Sequence, residues 1–346
     1  MIINGTKIGK GLSPYIIAEM SGNHLNSLDS ALELMEASAR AGVNAFKLQT
    51  YSANTLTINC LREEYIVRAG PWNGRTLHDL YSQGHTPNEW LEPLFQLAKE
   101  LNLTLFSTPF GIKEVDILEG FDVPVYKVAS FEITYTQLLK KIASTNKPVI
   151  FSTGLASIEE ISKAIQVLQD NGSGSIAILK CTTSYPANSK DLNLNTINFL
   201  GNKYQIPVGF SDHTLGVNSA IAAAGAGACI FEKHIKLDKD ISSVDSSFAL
   251  PVSKLPEYIS NIREATISMG VIQDGPCDSE KQYLKYRRSI VAAQDISKGD
   301  IITKDNIVIV RPNIGLAPEF LDSILGKKVI KDLEFGEGIT IESLDI

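Results

Sequence analysis

Two histidines end neighbouring apolar segments of this chain, at positions where they could share a metal ion. His213 closes the run PVGFSDH at 207–213, and His234 closes the run ACIFEKH at 228–234. If these runs form adjacent parallel strands, both imidazoles emerge at the same edge and can bind one divalent cation, with water or substrate as further ligands. Two imidazoles with oxygen donors suit Mn²⁺ or a similar ion. The alternative is a pair of structural histidines that hydrogen-bond to the backbone or to neighbouring acidic residues.

Two lysines interrupt apolar runs and indicate an anion-binding site. Lys47 lies within AFKLQT at 45–50, and Lys127 lies within PVYKVAS at 124–130. An ammonium group loses hydration inside an apolar segment, so its placement there requires a partner. Hydroxyl side chains stand at the ends of the runs: Thr108, Ser130, Ser152 and Ser211. Lysine charge and hydroxyl donors together suit a phosphate-like dianion. The alternative is a pair of lysines that extend past the strand ends into water.

Two carboxylates near the same strand ends, Glu19 and Glu132, are candidates for general acid–base catalysis. Each could instead be the ion-pair partner of a lysine, and the spacing leaves both interpretations open. The other histidines lie in loops or in a long connection, where we expect ordinary surface residues: His24, His78 and His85.

The elements that must position these residues are eight short runs rich in Val, Ile and Phe. The runs cover 15–20, 45–50, 103–109, 124–130, 147–153, 175–181, 207–213 and 228–234. Segments of helical period separate most of them, which indicates a parallel sheet, and eight such units favour a closed (β/α)₈ barrel. An open doubly wound sheet is the alternative, but the GxGxxG turn typical of that fold is missing. In a barrel, the active site lies at the C-terminal ends of the strands.

The rest of the chain divides around this barrel. A hairpin is expected over residues 1–13, around Asn4-Gly5. The long connection between the second and third runs, which contains residues 61–90, is predicted to be an active-site insertion with short helices. We place the catalytic barrel at 1–280, a linker at 281–290 and a small β-rich domain at 291–346.

The predicted small domain contains a weak internal repeat. DISKGDIIT at 295–303 and DLEFGEGIT at 332–340 share Asp, Gly, an acidic residue and Ile-Thr at matching offsets. Two similar β-turn units indicate a compact β-rich domain of pseudo-twofold design. Its short strands bury little apolar surface, so we expect it to pack on something larger.

Composition indicates a cytoplasmic protein. The 346 residues are 44% hydrophobic and 21% charged, and the net charge of −7 argues against a nucleic-acid partner. We find no signal-peptide core and no run near 18 apolar residues, so no membrane contact is expected. Cys181 and Cys229 lie in apolar runs, where we expect buried small side chains rather than disulfides.

A set of motifs along nearly the whole chain resembles the sialic acid synthase family. In order these are IIAEMSGNH, FKLQTY, FSTPF, YKVASFE, STG, CTTSYP, GFSDHT and EKH. The tail RRSIVAAQDISKGDIITKDNIVIVRPNIGL is similar to the family's C-terminal antifreeze-like (SAF) domain. The resemblance therefore implies a TIM barrel followed by a SAF domain. The SFE at 130–132 and the long insertion are similar to the pseudaminic acid synthase branch of the family.

That resemblance implies an enzyme that condenses phosphoenolpyruvate with 2,4-diacetamido-2,4,6-trideoxy-β-L-altropyranose and releases phosphate. The alternatives within the family are N-acetylmannosamine, which gives N-acetylneuraminate, and the legionaminic acid precursor. Thr183 stands where sialic acid synthases commonly carry Asn, and this difference and Phe131 leave the sugar open. More distant alternatives are a pyruvate aldolase, which would release no phosphate, and a binding protein on a barrel scaffold.

The family resemblance also implies a role for individual residues. The residues implied to hold phosphoenolpyruvate are Lys47, Thr108, Lys127, Ser130, Ser152 and Ser211. The residues implied to face the sugar are Glu19, Gln49, Tyr185 and Asp245. Glu132 would lie close to the reacting centre, and His213 and His234 would bind Mn²⁺ or Mg²⁺. Arg311 is expected to reach the active site of a partner subunit, which implies a domain-swapped homodimer.

Overall fold

The computed structural model describes residues 1–345 as two compact units. The first unit is Met1–Gly270, and the second begins at Val271. The division of the chain at 280, with a linker over 281–290, stays a prediction. No helix within residues 1–345 is long and apolar enough to cross a lipid bilayer.

The predicted N-terminal hairpin is confirmed. Strands β1 (Ile2–Ile3) and β2 (Thr6–Lys7) pair in antiparallel fashion. Asn4 has a φ of 44° and Gly5 a φ of 79°. These are the left-handed conformations that a tight two-residue turn needs, and Asn-Gly adopts them at low cost.

Eight parallel strands form the closed barrel that the sequence predicts. These strands are β3 (Tyr15–Glu19), β4 (Ala45–Thr50), β5 (Thr104–Pro109), β6 (Tyr126–Val128), β7 (Val149–Ser152), β8 (Ile176–Cys181), β9 (Val208–Asp212) and β10 (Ile230–Lys236). Each strand pairs with the next along the chain, and β10 pairs with both β9 and β3, which closes the ring. A short strand β11 (Leu250–Pro251) adds to β10.

Helices connect the strands on the outside of the barrel. They are α1 (Leu28–Ala41), α4 (Leu91–Glu100), α5 (Ile112–Glu119), α6 (Thr136–Ala143), α7 (Ile158–Asp170), α8 (Asn195–Tyr204), α9 (Asn218–Gly225) and α10 (Leu255–Met269), whereas α2 (Ala53–Leu56) and α3 (Leu77–Gly84) lie between β4 and β5. The caps follow from local sequence: the Ser157 hydroxyl accepts from the Glu160 N–H at the start of α7, and Gly42 ends α1 with a φ of 88°. The long connection between β4 and β5 holds α2, α3 and short 3₁₀ turns, as predicted.

Strand alternation separates two apolar layers. Outward side chains such as Phe46 and Phe210 pack against the helices, whereas inward ones such as Ile17, Phe106 and Ile150 fill the lower barrel. Positions two residues further along the same strands carry polar groups, so these also point into the barrel. The polar set therefore occupies the C-terminal end of the barrel interior, above an apolar floor. Cys181, the last residue of β8, and Cys229, which directly precedes β10, are both buried as predicted.

A buried ion pair joins β9, β10 and helix α10 on the outer face of the barrel. Lys233 Nζ lies 3.2 Å from Asp212 Oδ2, and both side chains are nearly inaccessible to solvent. The Tyr258 hydroxyl donates to the same carboxylate at 3.0 Å, and the Thr214 N–H donates to its other oxygen at 2.8 Å. Asp212 and Lys233 directly precede the two histidines, so this network holds the strand ends that carry them.

Replacing Lys233 with Met should lower the free energy of unfolding by about 3 kcal/mol, because the Asp212 carboxylate would stay buried without its cation. Urea denaturation of both proteins measures the difference. Lys239→Met is the matched control, since Lys239 pairs with Glu33 on the surface and should change stability by less than about 1 kcal/mol. Equal effects of the two substitutions would contradict a structural role for the buried pair.

The second unit is rich in β-turns and has its own apolar core. Strands β12 (Ser289–Ala292) and β13 (Ile307–Val310) pair in antiparallel fashion, and two short helices accompany them, α11 (Asp278–Lys281) and α12 (Leu321–Ile324). Isolated bridges add further antiparallel contacts between its turns.

The two sequence repeats of this unit bond to each other symmetrically. Asp295, the first residue of one repeat, accepts from the N–H of Phe335 at 2.7 Å. Asp332, the first residue of the other repeat, accepts from the N–H of Lys298, also at 2.7 Å. Each aspartate thus bonds to the fourth residue of the opposite repeat, which confirms the predicted pseudo-twofold design.

Candidate active site

Two buried lysines and two buried carboxylates form the centre of the barrel mouth. Lys47 Nζ lies 2.6 Å from Glu19 Oε2 and 3.7 Å from Glu232 Oε2. Lys127 Nζ lies 3.9 Å from the other oxygen of Glu232. Lys47 is 3% exposed and Lys127 is 2% exposed, so the interpretation of both as lysines that extend into water is wrong.

The charges of this cluster depend on one another. Burial alone would lower the pKa of Lys47, but the carboxylates of Glu19 and Glu232 raise it above its ordinary value. Lys127 has no carboxylate within hydrogen-bond distance, and burial lowers its pKa despite the attraction of Glu232. Burial would raise the pKa of Glu232, yet Lys127 and Lys47 hold it below its ordinary value. Glu232 is therefore an anion that both ammonium groups face.

Hydroxyl groups orient both ammonium groups. Lys47 Nζ donates to Thr108 Oγ1 at 3.1 Å, and Lys127 Nζ donates to Ser152 Oγ at 2.6 Å. The Ser211 hydroxyl donates to the carboxylate between them at 3.1 Å. Only the distances from the two ammonium groups to Glu232, 3.7 and 3.9 Å, exceed a hydrogen bond. Lys47 bonds to Glu19 and Thr108, and Lys127 bonds to Ser152 and the Val128 carbonyl, so each ammonium retains one donor for another acceptor.

A glycine in the loop after β7 lets the backbone approach the Ser130 side chain after β6. The Gly154 N–H donates to Ser130 Oγ at 3.0 Å. A Cβ at position 154 would lie 2.7 Å from that oxygen, so a larger residue would displace the hydroxyl. The STG motif thereby brings the loop after β7 against the loop after β6.

The two predicted metal ligands face each other at the end of β9 and β10. The ring centroids of His213 and His234 are 5.3 Å apart. His213 Nδ1 lies 3.1 Å from the Thr182 carbonyl oxygen, which leaves Nε2 of that ring free of this bond. His234 Nδ1 is buried without a hydrogen-bond partner in the described part of the chain, and lies 3.8 Å from Asp245 Oδ2.

This arrangement fits a divalent cation. A buried ring nitrogen without a partner is the donor that a metal ion would satisfy, and burial with the neighbouring His213 holds the pKa of His234 well below its usual range. Burial would also lower the pKa of His213, but Cys181 and the Thr182 carbonyl raise it above its ordinary value. Among residues 1–345, no group of three or more acidic, His or Cys side chains is preformed for a metal. Water or substrate would therefore complete the coordination.

The residues expected to face the sugar surround the same mouth. Gln49 Nε2 donates to Glu19 Oε1 at 2.8 Å, and burial raises the pKa of Glu19 to about 7 although Lys47 opposes this. Asp245 accepts a hydrogen bond from the Ser21 hydroxyl. The Tyr185 ring lies 4.5 Å from the His213 ring, between centroids.

Glu132 follows β6 at the edge of this site. One of its carboxylate oxygens is buried and has no hydrogen-bond partner within residues 1–345. Burial raises the pKa of Glu132 to about 7, which Lys127 only partly opposes. A carboxyl group with a pKa near neutrality suits proton transfer.

Glu132→Gln should stabilise the protein at alkaline pH. Because folding raises the pKa of Glu132 from 4.5 to about 7, the folded state binds more protons than the unfolded chain between these values, and the unfolding free energy falls as pH rises through them. The Gln variant lacks this loss and should be more stable than the parent by about 1 to 2 kcal/mol at pH ~8, and equal to it at pH ~4.5. Urea denaturation at both pH values tests this. The exposed substitution Glu159→Gln should show no such difference, and a Glu132→Gln effect independent of pH would contradict the assignment.

Most predicted site residues thus converge, and a few observations differ from the sequence analysis. Glu232, the carboxylate that both lysines face, was not among the predicted site residues. Phe248, which lies beside the histidines, and Trp72, which lies beside Tyr185 and Phe248, were also missed. His24 was expected on the surface but is buried, with its ring 5.2 Å from that of Trp90.

Arg311 belongs to the second unit, where its side chain is exposed. Its predicted contact with a partner subunit's active site stays a prediction.

Comparisons with known proteins agree with this geometry. The NeuB family model matches residues 34–274, and the SAF domain model matches residues 287–345. A pseudaminic acid synthase of Campylobacter jejuni is 39% identical over 328 residues, which cover 94% of this chain and 95% of the relative. An N,N'-diacetyllegionaminic acid synthase of Legionella pneumophila is 32% identical, with 99% and 98% covered.

A solved structure shares the fold. The N-acetylneuraminic acid (sialic acid) synthetase of Leptospira borgpetersenii, in complex with citrate, superposes with a TM-score of 0.73 at 28% identity. The alignment covers 82% of this chain and 94% of that one. The chain therefore belongs to the NeuB family and is an enzyme that consists of a TIM barrel and a C-terminal SAF domain.

Proposed function

We propose that this enzyme condenses phosphoenolpyruvate with 2,4-diacetamido-2,4,6-trideoxy-β-L-altropyranose to form pseudaminic acid. C3 of phosphoenolpyruvate forms a bond to the aldehyde carbon of the open-chain sugar. Water adds to C2, the bond from C2 to the phosphate oxygen breaks, and inorganic phosphate leaves. The reaction needs an anion site, a carbonyl activator and a group that moves the proton of the attacking water.

The buried lysines at the barrel mouth carry this proposal. Lys47 and Lys127 face the same carboxylate at 3.7 and 3.9 Å and retain capacity for another acceptor. Thr108 and Ser152 orient them, so the carboxylate and phosphate of phosphoenolpyruvate would meet two cations and several hydroxyls. An apolar floor lies beneath, which lowers the local dielectric and strengthens these contacts.

His213 and His234 would hold Mn²⁺ or Mg²⁺ at the same mouth. Such an ion supplies Lewis-acid polarisation of a carbonyl oxygen when bound. Side chains of the protein orient the sugar and transfer the proton. The four that orient the sugar are Glu19, Gln49, Tyr185 and Asp245. Glu132, with its raised pKa, takes up the proton of the water that adds to C2.

The choice of sugar rests on similarity. The pseudaminic acid synthase of Campylobacter jejuni is 39% identical to this chain, against 32% for the legionaminic acid synthase. The SFE motif, whose Phe131 is exposed beside the mouth, and the long insertion support the same branch.

Release of phosphate from phosphoenolpyruvate tests the proposal. The purified chain is incubated with Mn²⁺ and either the trideoxy altrose derivative, the legionaminic acid precursor or N-acetylmannosamine. We expect phosphate with the first sugar at a kcat/KM at least about 10-fold above the others, and none after removal of the metal by a chelator. A preference for either other sugar would overturn the sugar assignment. Absence of phosphate release with all three would overturn the reaction.

We also propose that the protein acts as a domain-swapped homodimer in which Arg311 completes the partner's site. Exposed apolar side chains follow three barrel strands at the mouth, as expected for a surface that another part of a dimer covers: Phe131, Leu155 and Leu215. Mixing two inactive variants, Lys127→Met and Arg311→Ala, then tests the exchange. Dimers of one chain of each kind contain one intact site, so activity should return on mixing. No recovery after subunit exchange, shown by light scattering and a tagged chain, would contradict it.

A further inference from the structure

A row of aromatic rings extends from the histidine pair to the insertion between β4 and β5. The ring of Tyr185 lies 4.5 Å from His213 and 5.4 Å from Trp72, between centroids. Phe248 lies 5.0 Å from Tyr185, 5.1 Å from His234 and 6.1 Å from Trp72. Trp72, Tyr185 and Phe248 thus form one aromatic wall whose near end contacts the histidines and whose far end is Trp72.

Hydrogen bonding and close packing hold Trp72 in this wall. Its indole N–H donates to the Val244 carbonyl at 2.8 Å, across 172 positions of sequence. Helix α3 ends on the same loop, where a Cβ at Gly84 would lie 3.0 Å from the Tyr51 hydroxyl and 3.6 Å from Val244 Cγ2. The insertion is therefore packed against the loop after β10, and Trp72 has a defined position.

The far end of the wall, at Trp72, presents an apolar surface to anything bound at the mouth. Trp72 and Tyr185 are partly exposed, whereas Phe248 is 1% exposed and supports the other two rings from within. The single donor of Trp72 already bonds to Val244, so the Tyr185 hydroxyl is the polar group that this surface retains. Aromatic faces bind C–H and methyl groups well, whereas a hydroxyl placed against them loses water without gaining a partner. A ligand that extends along the wall must therefore carry an apolar group at its far end.

We propose that the aromatic wall selects an amino sugar whose terminal carbon is a methyl group rather than a hydroxymethyl group. The inference rests on the proposed function, because it places the sugar aldehyde at the histidines. Tyr185 lies between His213 and Trp72, with centroid distances of 4.5 and 5.4 Å. Trp72 is therefore separated from the aldehyde end by one ring, which suits the far end of a six-carbon chain. Trp72 is a specificity-determining residue of the insertion, and the 6-deoxy carbon of the sugar is the group that it contacts.

Matched sugar pairs test the wall separately from the reaction. One pair is the trideoxy altrose derivative and its 6-hydroxy counterpart; the other is 6-deoxy-N-acetylmannosamine and N-acetylmannosamine. The proposed function is judged by which pair the enzyme turns over, and the wall is judged by the kcat/KM ratio within that pair. We expect the 6-deoxy member to be favoured about 10- to 100-fold, since an apolar pocket rejects an added hydroxyl only to this extent.

Three variants then assign the preference to Trp72. Trp72→Ala should reduce the ratio at least about 5-fold, mainly through a higher KM for the 6-deoxy sugar, because the wall loses its far end. Trp72→Phe retains an aromatic face and should retain most of the preference. Leu61→Ala changes an exposed residue of the same insertion and should leave the ratio unchanged. A Trp72→Ala ratio equal to that of the parent, or a parent that favours the 6-hydroxy sugar, would overturn the proposal.

Tryptophan fluorescence provides a second measurement that depends on neither turnover nor a stable Ala variant. The chain has two tryptophans, so Trp90→Phe leaves Trp72 as the reporter. With phosphoenolpyruvate present and the metal removed by a chelator, so that no turnover occurs, the 6-deoxy sugar should shift the emission of Trp72 and give a Kd about 10-fold below that of its 6-hydroxy counterpart. No emission change with a saturating sugar, or equal Kd values within both pairs, would refute contact between Trp72 and the sugar.

Discussion

Replacing Lys127 with Met should lower kcat/KM for phosphoenolpyruvate by about 1,000-fold and leave the protein folded. Met has nearly the volume of the lysine stem, so packing in the barrel changes little. What is lost is one of two buried cations that would contact the substrate's negative charges. Removal of one such contact in a dry site typically costs about 100- to 1,000-fold, and the full charge of Lys127 places it at the upper end.

The expected stability of this variant follows from the pairing around Glu232. That carboxylate keeps Lys47 at 3.7 Å and the Ser211 hydroxyl at 3.1 Å after the substitution, so it is not left without partners. Lys47→Met is a less clear test, because it removes the cation shared by Glu19 and Glu232. Circular dichroism and thermal unfolding check that Lys127→Met is folded.

Lys180→Met is the matched control for Lys127→Met. Lys180 lies on β8, and Ile178, two positions earlier on the same strand, packs in the layer between the strands and the helices. Side chains two positions apart on a strand point to the same side. Lys180 therefore points away from the mouth, and its removal should leave kcat/KM within a few-fold of the parent. A Lys127→Met enzyme whose kcat/KM is within about 10-fold of the parent would refute the anion-binding role.

The barrel and most of its polar mouth could be predicted because the same geometric rule applies to every parallel strand of a barrel. All C-terminal strand ends meet at the same side of a barrel, so residues near the ends of separate runs come together without knowledge of any contact. Lys47 and Lys127 lie 80 positions apart in the numbering of the chain, yet both face one carboxylate. The closed barrel could be predicted from the number of apolar runs, which is eight, and from the helical segments between them.

Glu232 was within reach of the same reasoning. It stands two positions before His234 on β10, so the two side chains share the inner face, whereas Lys233 between them faces α10. The motif EKH shows this spacing, so strand alternation alone places Glu232 beside His234 at the mouth. The hydrogen bond from Ser211 and the two lysines then make it the centre of the cluster.

Trp72 and His24 could not be predicted, since neither belongs to a regular element. Trp72 ends a short 3₁₀ turn, and its place beside Tyr185 depends on how the whole insertion folds over the mouth. His24 is buried because Trp90 and Gly84, both later in the chain, cover it. Irregular segments have no period from which a facing side can be read, so their contacts follow from tertiary packing alone.

Replacing His234 with Ala should abolish Mn²⁺ binding and, with it, the release of phosphate. The Nδ1 atom of His234 is buried without a hydrogen-bond partner in the described structure, and burial holds the pKa of the ring well below its usual range. A neutral imidazole with a free nitrogen is a metal donor. Changes to residues that only orient a metal ligand typically weaken metal binding by roughly 10- to 100-fold. Removal of His234, one of two protein ligands, should weaken Mn²⁺ binding by more than this. Electron paramagnetic resonance of free Mn²⁺ measures this without turnover.

The comparison of three histidine variants decides between a metal site and a structural pair. His213→Ala should weaken Mn²⁺ binding as strongly as His234→Ala, since the rings lie 5.3 Å apart and would share one ion. His78→Gln alters a half-buried histidine of helix α3 that bonds to Asn54, and should leave Mn²⁺ affinity and activity unchanged. If the two rings were only structural, both Ala variants would lose stability but bind Mn²⁺ as the parent does. Full Mn²⁺ affinity in folded His234→Ala protein would therefore exclude this pair as the metal site. No group of three or more acidic, His or Cys side chains within residues 1–345 is preformed to take its place.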